Sequence, residues 1–301
     1  GVVGSIYFRL YDFRIAKTIT LFGQHLIKKL IEKTNKMNLN TIYGDTDSKF
    51  VEQGNLTIPE MENLQSLFSK YCEECTKEFN IENPHFSIEL KEIYTGIIFT
   101  GVKKRYAGLI KYEGGKELKE PRLEIKGFEP KRSDNPQIIR DFISSIFTQI
   151  LSNPNRPKTK NFIKYFKLKF FELKEELGIP ISITKDLDDY NANSIHIRAV
   201  NISNERHGTK FSAGDKIKYL YVDKNPVDFD FENVIAFEKK IPEGYHIDYK
   251  KMWNRLAQKK IEIIFSSIGW DEEGSSLFSS KFSPAKAEQN PKKSEEIKKA
   301  D

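Results

Sequence analysis

The stretch Ile42-Tyr43-Gly44-Asp45-Thr46-Asp47-Ser48-Lys49-Phe50-Val51 constrains the fold more than any other part of the sequence. Apolar pairs flank a run of turn formers, so the chain must double back here as a tight hairpin. Ile42-Tyr43 enters, Gly44 to Thr46 turns and Phe50-Val51 leaves. In an extended strand residues two apart face the same way, so Asp45 and Asp47 can project together. Two carboxylates so placed repel unless a cation sits between or beside them. Hard oxygen donors suit Mg²⁺ or Mn²⁺, and a pair of such ions can clamp the attacking and leaving oxygens of a phosphoryl transfer. Gly-Asp-Thr-Asp is equally good turn chemistry with no metal at all, so the hairpin taken alone leaves both readings open.

The segments around it describe an α+β unit with an antiparallel sheet. Between Tyr7 and Lys36 the apolar residues Phe8, Ile15, Ile19, Phe22, Leu26, Leu30 and Ile31 recur at helical steps and supply one core face. Asn38-Leu39-Asn40 breaks that helix. A second helix is expected from Ile58 to Phe79, with Pro59-Glu60 in its first turn. Strand patterns follow at 86–90, 93–102, 106–112 and 123–125, with Gly114-Gly115 as a turn. Beyond Gly127 the texture becomes mainly helical: 135–151, a Lys-rich 159–177, 193–203 and 249–268, with one turn and strand across 208–222. Past Phe282 apolar content nearly vanishes and disorder is expected.

Composition narrows the function classes. The 301 residues can bury a sizeable core, and 31 % of them are charged. A net charge of +6 permits a polyanionic partner without requiring one. The longest apolar runs, Ile97-Ile98-Phe99 and Ile261 to Phe265, are far too short to span a membrane. Cys72 and Cys75 are the two cysteines. A single C-x-x-C without a second pair is at most half a zinc site, and nothing resembles a disulfide framework, so two reduced thiols in a cytosolic protein are expected. No targeting segment is read at the start, which is Gly1-Val2-Val3-Gly4-Ser5 rather than a methionine.

Tyr-Gly-Asp-Thr-Asp-Ser (Tyr43 to Ser48) resembles the third signature motif of family B DNA polymerases. Thr-Gly-Val-Lys-Lys-Arg-Tyr-Ala-Gly (Thr100 to Gly108) resembles the K-K-x-Y element that these enzymes lay against the primer–template duplex. The opening residues through Asp12 resemble the sequence that follows the nucleotide-binding helix motif, whose own end is N-S-x-Y-G. Leu123 to Asp134 resembles the palm-to-thumb junction, and Phe-Ser-Ala-Gly-Asp-Lys-Ile-Lys-Tyr (Phe211 to Tyr219) resembles a thumb element. These landmarks stand in the family's order over about residues 1 to 280, nearest to archaeal replicative enzymes.

The resemblance implies a palm portion over 1–127, a thumb over 128–282 and a disordered tail over 283–301. It implies that Asp47 ligates two catalytic Mg²⁺ ions and that Asp45 stands beside them, nearer the primer terminus. Gly44 would allow close backbone approach and Thr46 would complete the turn. Lys103 and Tyr106 would touch the new duplex, with Lys104 and Arg105 alternating to opposite faces of their strand. Lys126, Gly127 and Arg132 would meet phosphates at the thumb junction. Glu89 reads as a surface glutamate that matches an acidic residue near the family's active site. The lysines at 158, 160, 164, 167 and 169 read as a solvated face.

The family's centre also needs an aspartate from a D-x-x-S-L-Y-P motif and a lysine and asparagine from the helix ending in N-S-x-Y-G. Neither motif occurs in these residues, and no exonuclease portion is expected among them. The expectation is either the palm-and-thumb subunit of a split enzyme or the C-terminal segment of a longer chain, supplying two of the acids and the primer–template contacts. A larger polypeptide would supply the remaining palm, the fingers and the exonuclease, with dNTP as substrate and the nucleoid as location. Isolated, it should have no activity and should expose an apolar face. The alternative is a non-catalytic duplex-binding module with a relic motif; a nuclease would need more acids than can be placed. A sliding-clamp peptide of the Q-x-x-L-x-x-F-F kind is not in register at Leu277, Phe278 and Phe282.

Overall fold

The computed structural model describes residues 2–45, 47–52, 54, 56–128, 135–191, 194–224 and 233–270. The first helix, α1, runs Phe13–Lys36. It starts where the Asp12 carboxylate accepts the Arg14 and Ile15 amides, and the Arg14 side chain and those amides hold that carboxyl below its ordinary pKa. It ends at Asn38, whose φ of 57° is left-handed. Leu26, Leu30 and Thr34 are buried at four-residue spacing. Ile15 and Ile19, expected on the core face, are instead exposed, as are Ile6, Tyr7, Leu10 and Phe13. The packing partners of α1, helix α2 and the hairpin, cover only its C-terminal half.

The hairpin follows as β1 (Asn40–Asp45) and β2 (Ser48–Glu52), with Tyr43 opposite Phe50, Gly44 opposite Lys49 and Asp45 opposite Ser48. A bulge between Thr41 and Tyr43 shifts its register. Helix α2 (Ile58–Thr76) begins on a capping box in which Glu60 answers Thr57, and Leu30, Phe68 and Cys72 close a small core between the two helices. Cys72 and Cys75 are both buried free thiols, and burial pushes the Cys72 thiol up to about 11.

A three-stranded antiparallel sheet then forms in the order β3 (Glu92–Phe99), β4 (Tyr106–Glu113), β5 (Lys116–Lys126). Gly114 and Gly115, with φ of 57° and 81°, make the two-residue turn that matches strand twist. Residues 86–90, expected as a strand, are extended but pair with none. Helix α2 takes their bonds instead: Ser69 Oγ accepts the Ile88 amide and donates to its carbonyl, and Gln65 Oε1 accepts the Leu90 amide.

Alternation divides the sheet's two faces. Ile98, Ala107 and Ile125 face a large core with Phe142, Ile143, Ile146 and Phe147 of α3 (Gln137–Ser152), whereas Phe99 and Tyr106 point the other way, toward the hairpin. Helix α4 (Arg156–Phe170) stops well short of Leu177, because the chain turns into β6 (Ile179–Ser182). After α5 (Ile195–His207), strands β7 (Lys216–Lys224), β8 (Val234–Phe237) and β9 (His246–Ile247) complete a second antiparallel sheet, of which the sequence pattern showed only β7.

The closing helix is α6 (Tyr249–Trp253), one π-helical turn over Asn254–Gln258, and α7 (Lys259–Ser267). The ammonium of buried Lys260 donates to the carbonyls of Leu256, at 2.8 Å, and Arg255 in that irregular turn. Phe147 is fully buried against Phe128 and its α3 neighbours. Phe147→Ala should therefore lower unfolding stability by about 3–5 kcal/mol, measured by denaturant titration.

Candidate active site

Phe50 of β2 enters an aromatic group formed by Tyr43, Tyr94, Phe99 and Tyr106, with ring centroids 5.2 to 5.8 Å from its own. This fastens the hairpin to the exposed face of the β3–β4 sheet. Tyr106, which the sequence resemblance turned toward the duplex, is buried in this group at 6 % exposure. It anchors the hairpin, and Lys126 lies over its ring.

Lys103, Lys104 and Arg105 do not alternate along a strand. They form the turn between β3 and β4, because Gly101 and Lys104 both adopt left-handed φ and the Arg105 amide closes back on the Val102 carbonyl. Lys103 projects into solvent. Lys104 instead folds onto the hairpin: its amide donates to the Tyr43 hydroxyl at 2.9 Å, and its ammonium lies 3.7 Å from the Asp45 carboxylate.

Gly127 explains how the turn is held there. Its φ is 69°, and a Cβ at this position would stand 2.0 Å from the Lys104 carbonyl oxygen. Only glycine allows that approach. Gly44, by contrast, lies within β1, with space for a Cβ.

Asp45 ends β1 and is partly buried, while Asp47 stands exposed in the turn. Strand alternation does not relate the two, because the chain turns between them and the Asp47 amide donates to the Asp45 carbonyl at 2.7 Å. Thr46 and Arg132 lie outside the described residues, as do Leu277, Phe278, Phe282 and the tail.

Both acids line a trench of about 1320 Å³ together with Lys104, Lys126 and Gly127. Leu30 of α1, Phe68 of α2, β2 and residues 87–97, including Glu89, also line it.

A second polar group lines this trench. The Tyr94 hydroxyl contacts the Glu92 carboxylate at 2.5 Å and that of buried Glu124 at 2.6 Å. Burial, then Glu124 and Glu92, raise the Tyr94 pKa. Lys126 lies 3.4 Å from Glu124. Burial opposes its charge, but Tyr106 and Glu124 outweigh that, so its pKa is raised.

Sequence reasoning passed over Tyr43 and Lys49. Lys49 leaves β2 on the face opposite Phe50, donates to the Leu30 carbonyl at 3.0 Å and to the Thr34 hydroxyl, and lies 4.4 Å from the Phe68 ring centroid. Burial pushes its ammonium down to about 8. The signal was a charged residue directly before the apolar pair of an otherwise half-buried strand.

The donor chemistry in the trench fits a hard divalent cation, with two carboxylates and an ammonium resting near one of them. Among the described residues no three His, Cys, Asp or Glu side chains gather as a metal site. Asp45 and Asp47 would supply only part of such an ion's coordination shell.

The family model for DNA polymerase family B matches residues 1–268. DNA polymerase 1 of Sulfolobus acidocaldarius is 31 % identical over 66 % of this chain and 22 % of its own length. DNA polymerase of Archaeoglobus fulgidus is 29 % identical over 82 % of this chain and 32 % of its own. The chain thus spans about a quarter to a third of the length of such curated relatives. The fold is similar to that of the family B DNA polymerase from Pyrobaculum calidifontis, with a TM-score of 0.62, 21 % identity, and 91 % of this chain against 32 % of that one.

Replacing Gly127 should dislodge the Lys103–Arg105 turn more than it unfolds the protein. Gly127→Ala is expected to speed hydrogen exchange of the Lys104 and Arg105 amides at least about tenfold, while circular dichroism stays native. Unchanged exchange would show that the turn tolerates the shift. From the match over residues 1–268, this chain belongs to DNA polymerase family B.

Proposed function

We propose that the chain supplies the C-terminal palm (1–127) and thumb (128–282) of a family B DNA polymerase, and extends primers once another polypeptide or segment completes the palm, fingers and exonuclease. The observation that carries this reading is the trench, lined by both helices, by β2 and by residues 87–97, with Asp45 and Asp47 in its lining and the Lys104 ammonium beside Asp45. The exposed apolar residues from Ile6 to Ile19 add a second surface suited to a large, obligate interface.

In this reading Asp47 and Asp45 would hold Mg²⁺ together with a third carboxylate from outside the chain. Bound there, the ions would offset charge developing on the attacking and leaving oxygens of nucleotidyl transfer. The protein's own part is orientation. Tyr43 and Gly127 hold the Lys104 turn beside Asp45, and the aromatic group holds the hairpin against the sheet. Lys103, Lys104, Arg105 and Lys126 line the approach of primer–template phosphates, reading backbone shape rather than sequence. The DNA substrate places the assembled enzyme at the nucleoid. A sliding-clamp contact has no support among the described residues.

Primer extension tests the reading. The chain alone should incorporate no nucleotide; with a companion polypeptide ending in N-S-x-Y or N-S-x-Y-G it should show Mg²⁺-dependent extension that Asp47→Ala lowers at least about a hundredfold. Extension by the chain alone would overturn the division. Salt-sensitive duplex binding that Asp45→Asn and Asp47→Asn leave intact, with no activity in any complex, would support the duplex-binding module instead.

A further inference from the structure

Lys49 is a costly residue for its place. It stands on the buried side of β2 above Leu30, Phe68 and Cys72, where an apolar side chain would fill the layer without desolvating a charge. The partners of its ammonium are a helix carbonyl and a hydroxyl, neither of which carries a compensating negative charge. Thr34, fully buried, bonds in turn to the same Leu30 carbonyl, so the ammonium, hydroxyl and carbonyl form a closed group in the last turns of α1.

The hairpin needs such an anchor. It is a two-stranded sheet with a bulge, so its backbone ladder alone specifies register weakly, and a one-residue slip would turn every side chain to the opposite face. Phe50 secures one face through the aromatic group. Directly across the strands from Lys49 is Gly44, which has no side chain to brace it. The other face is therefore secured by the ammonium head.

We propose that Lys49 is a positioning residue: by tying β2 to Leu30 and Thr34 of α1 it fixes the hairpin register that sets Asp45 and Asp47 in the lining of the trench. Its importance for catalysis rests on the polymerase reading above, but its action on the hairpin does not.

The test is residue-resolved hydrogen exchange on the full chain, together with the ¹³C signals of the Asp45 and Asp47 carboxylates. Lys49→Met keeps the length of the stem and removes the donor. It should speed exchange of the hydrogen-bonded amides of β1 and β2 at least tenfold and shift both carboxylate signals, while the amides of α2 keep wild-type rates. Thr34→Val, which removes the hydroxyl that accepts from Lys49 and donates to the Leu30 carbonyl, should act in the same direction, and decides the matter should Lys49→Met fail to fold. Wild-type hairpin exchange and carboxylate signals in Thr34→Val and in any folded Lys49→Met would overturn the proposal. So would equal acceleration in hairpin and helices, which would make Lys49 a general stability residue. Failure of the polymerase reading shows up separately, as an Asp47→Ala change without effect on extension.

Discussion

The insertion of Phe50 among Tyr43, Tyr94, Phe99 and Tyr106 is the contact on which the site's geometry depends. It joins two sheets that share no backbone hydrogen bonds among the described residues. Each edge-to-face pair contributes about 0.5–1.5 kcal/mol beyond area burial, so the group as a whole is strong enough to hold a two-stranded hairpin that would be marginal alone. Tyr43 also acts through its hydroxyl, which receives the Lys104 amide. Aromatic packing thus fixes the acids relative to the sheet and the basic turn relative to the acids.

Electrostatics in the trench follow from that placement. The Asp45 carboxylate is met by the Lys104 ammonium at a distance that leaves both solvated, a weak and exchangeable contact. A divalent ion competing for the same oxygens would displace the ammonium. The Glu92–Tyr94–Glu124 group is different, because it is half-buried around a buried Glu124, tightly hydrogen-bonded and steadied by Lys126.

Much of this was legible in the sequence where a local rule and the tertiary structure agree. The hairpin, α2 with its Pro59-Glu60 start, the Gly114-Gly115 turn and β7 are all cases of turn chemistry or periodicity uncontested by neighbours. What could not be read depended on partners distant in sequence. Residues 86–90 have strand composition, but Ser69 and Gln65 take their backbone bonds. Lys103 to Arg105 looked like alternating strand residues until the left-handed Lys104, seated under Gly127, made them a turn. Tyr106 followed family expectation to the DNA, whereas its burial depends on Phe50, more than fifty residues away. Ile15 and Ile19 had core periodicity, but nothing among the described residues covers them. Asp45 and Asp47 stood out by their motif, while the turn that separates them, closed by the Asp47 amide on the Asp45 carbonyl, breaks the strand alternation expected of them.

The central claim is that these two acids hold divalent ions against a primer terminus, completed by a carboxylate from outside the chain. Anomalous scattering from Mn²⁺ in the assembled protein with primer–template DNA tests it most directly. The account predicts metal peaks within about 2.0–2.3 Å of an Asp47 oxygen, with Asp45 and a carboxylate of the completing segment beside them and the primer 3′ end adjacent. Mn²⁺ peaks elsewhere, with both side chains turned to bulk solvent, would contradict it.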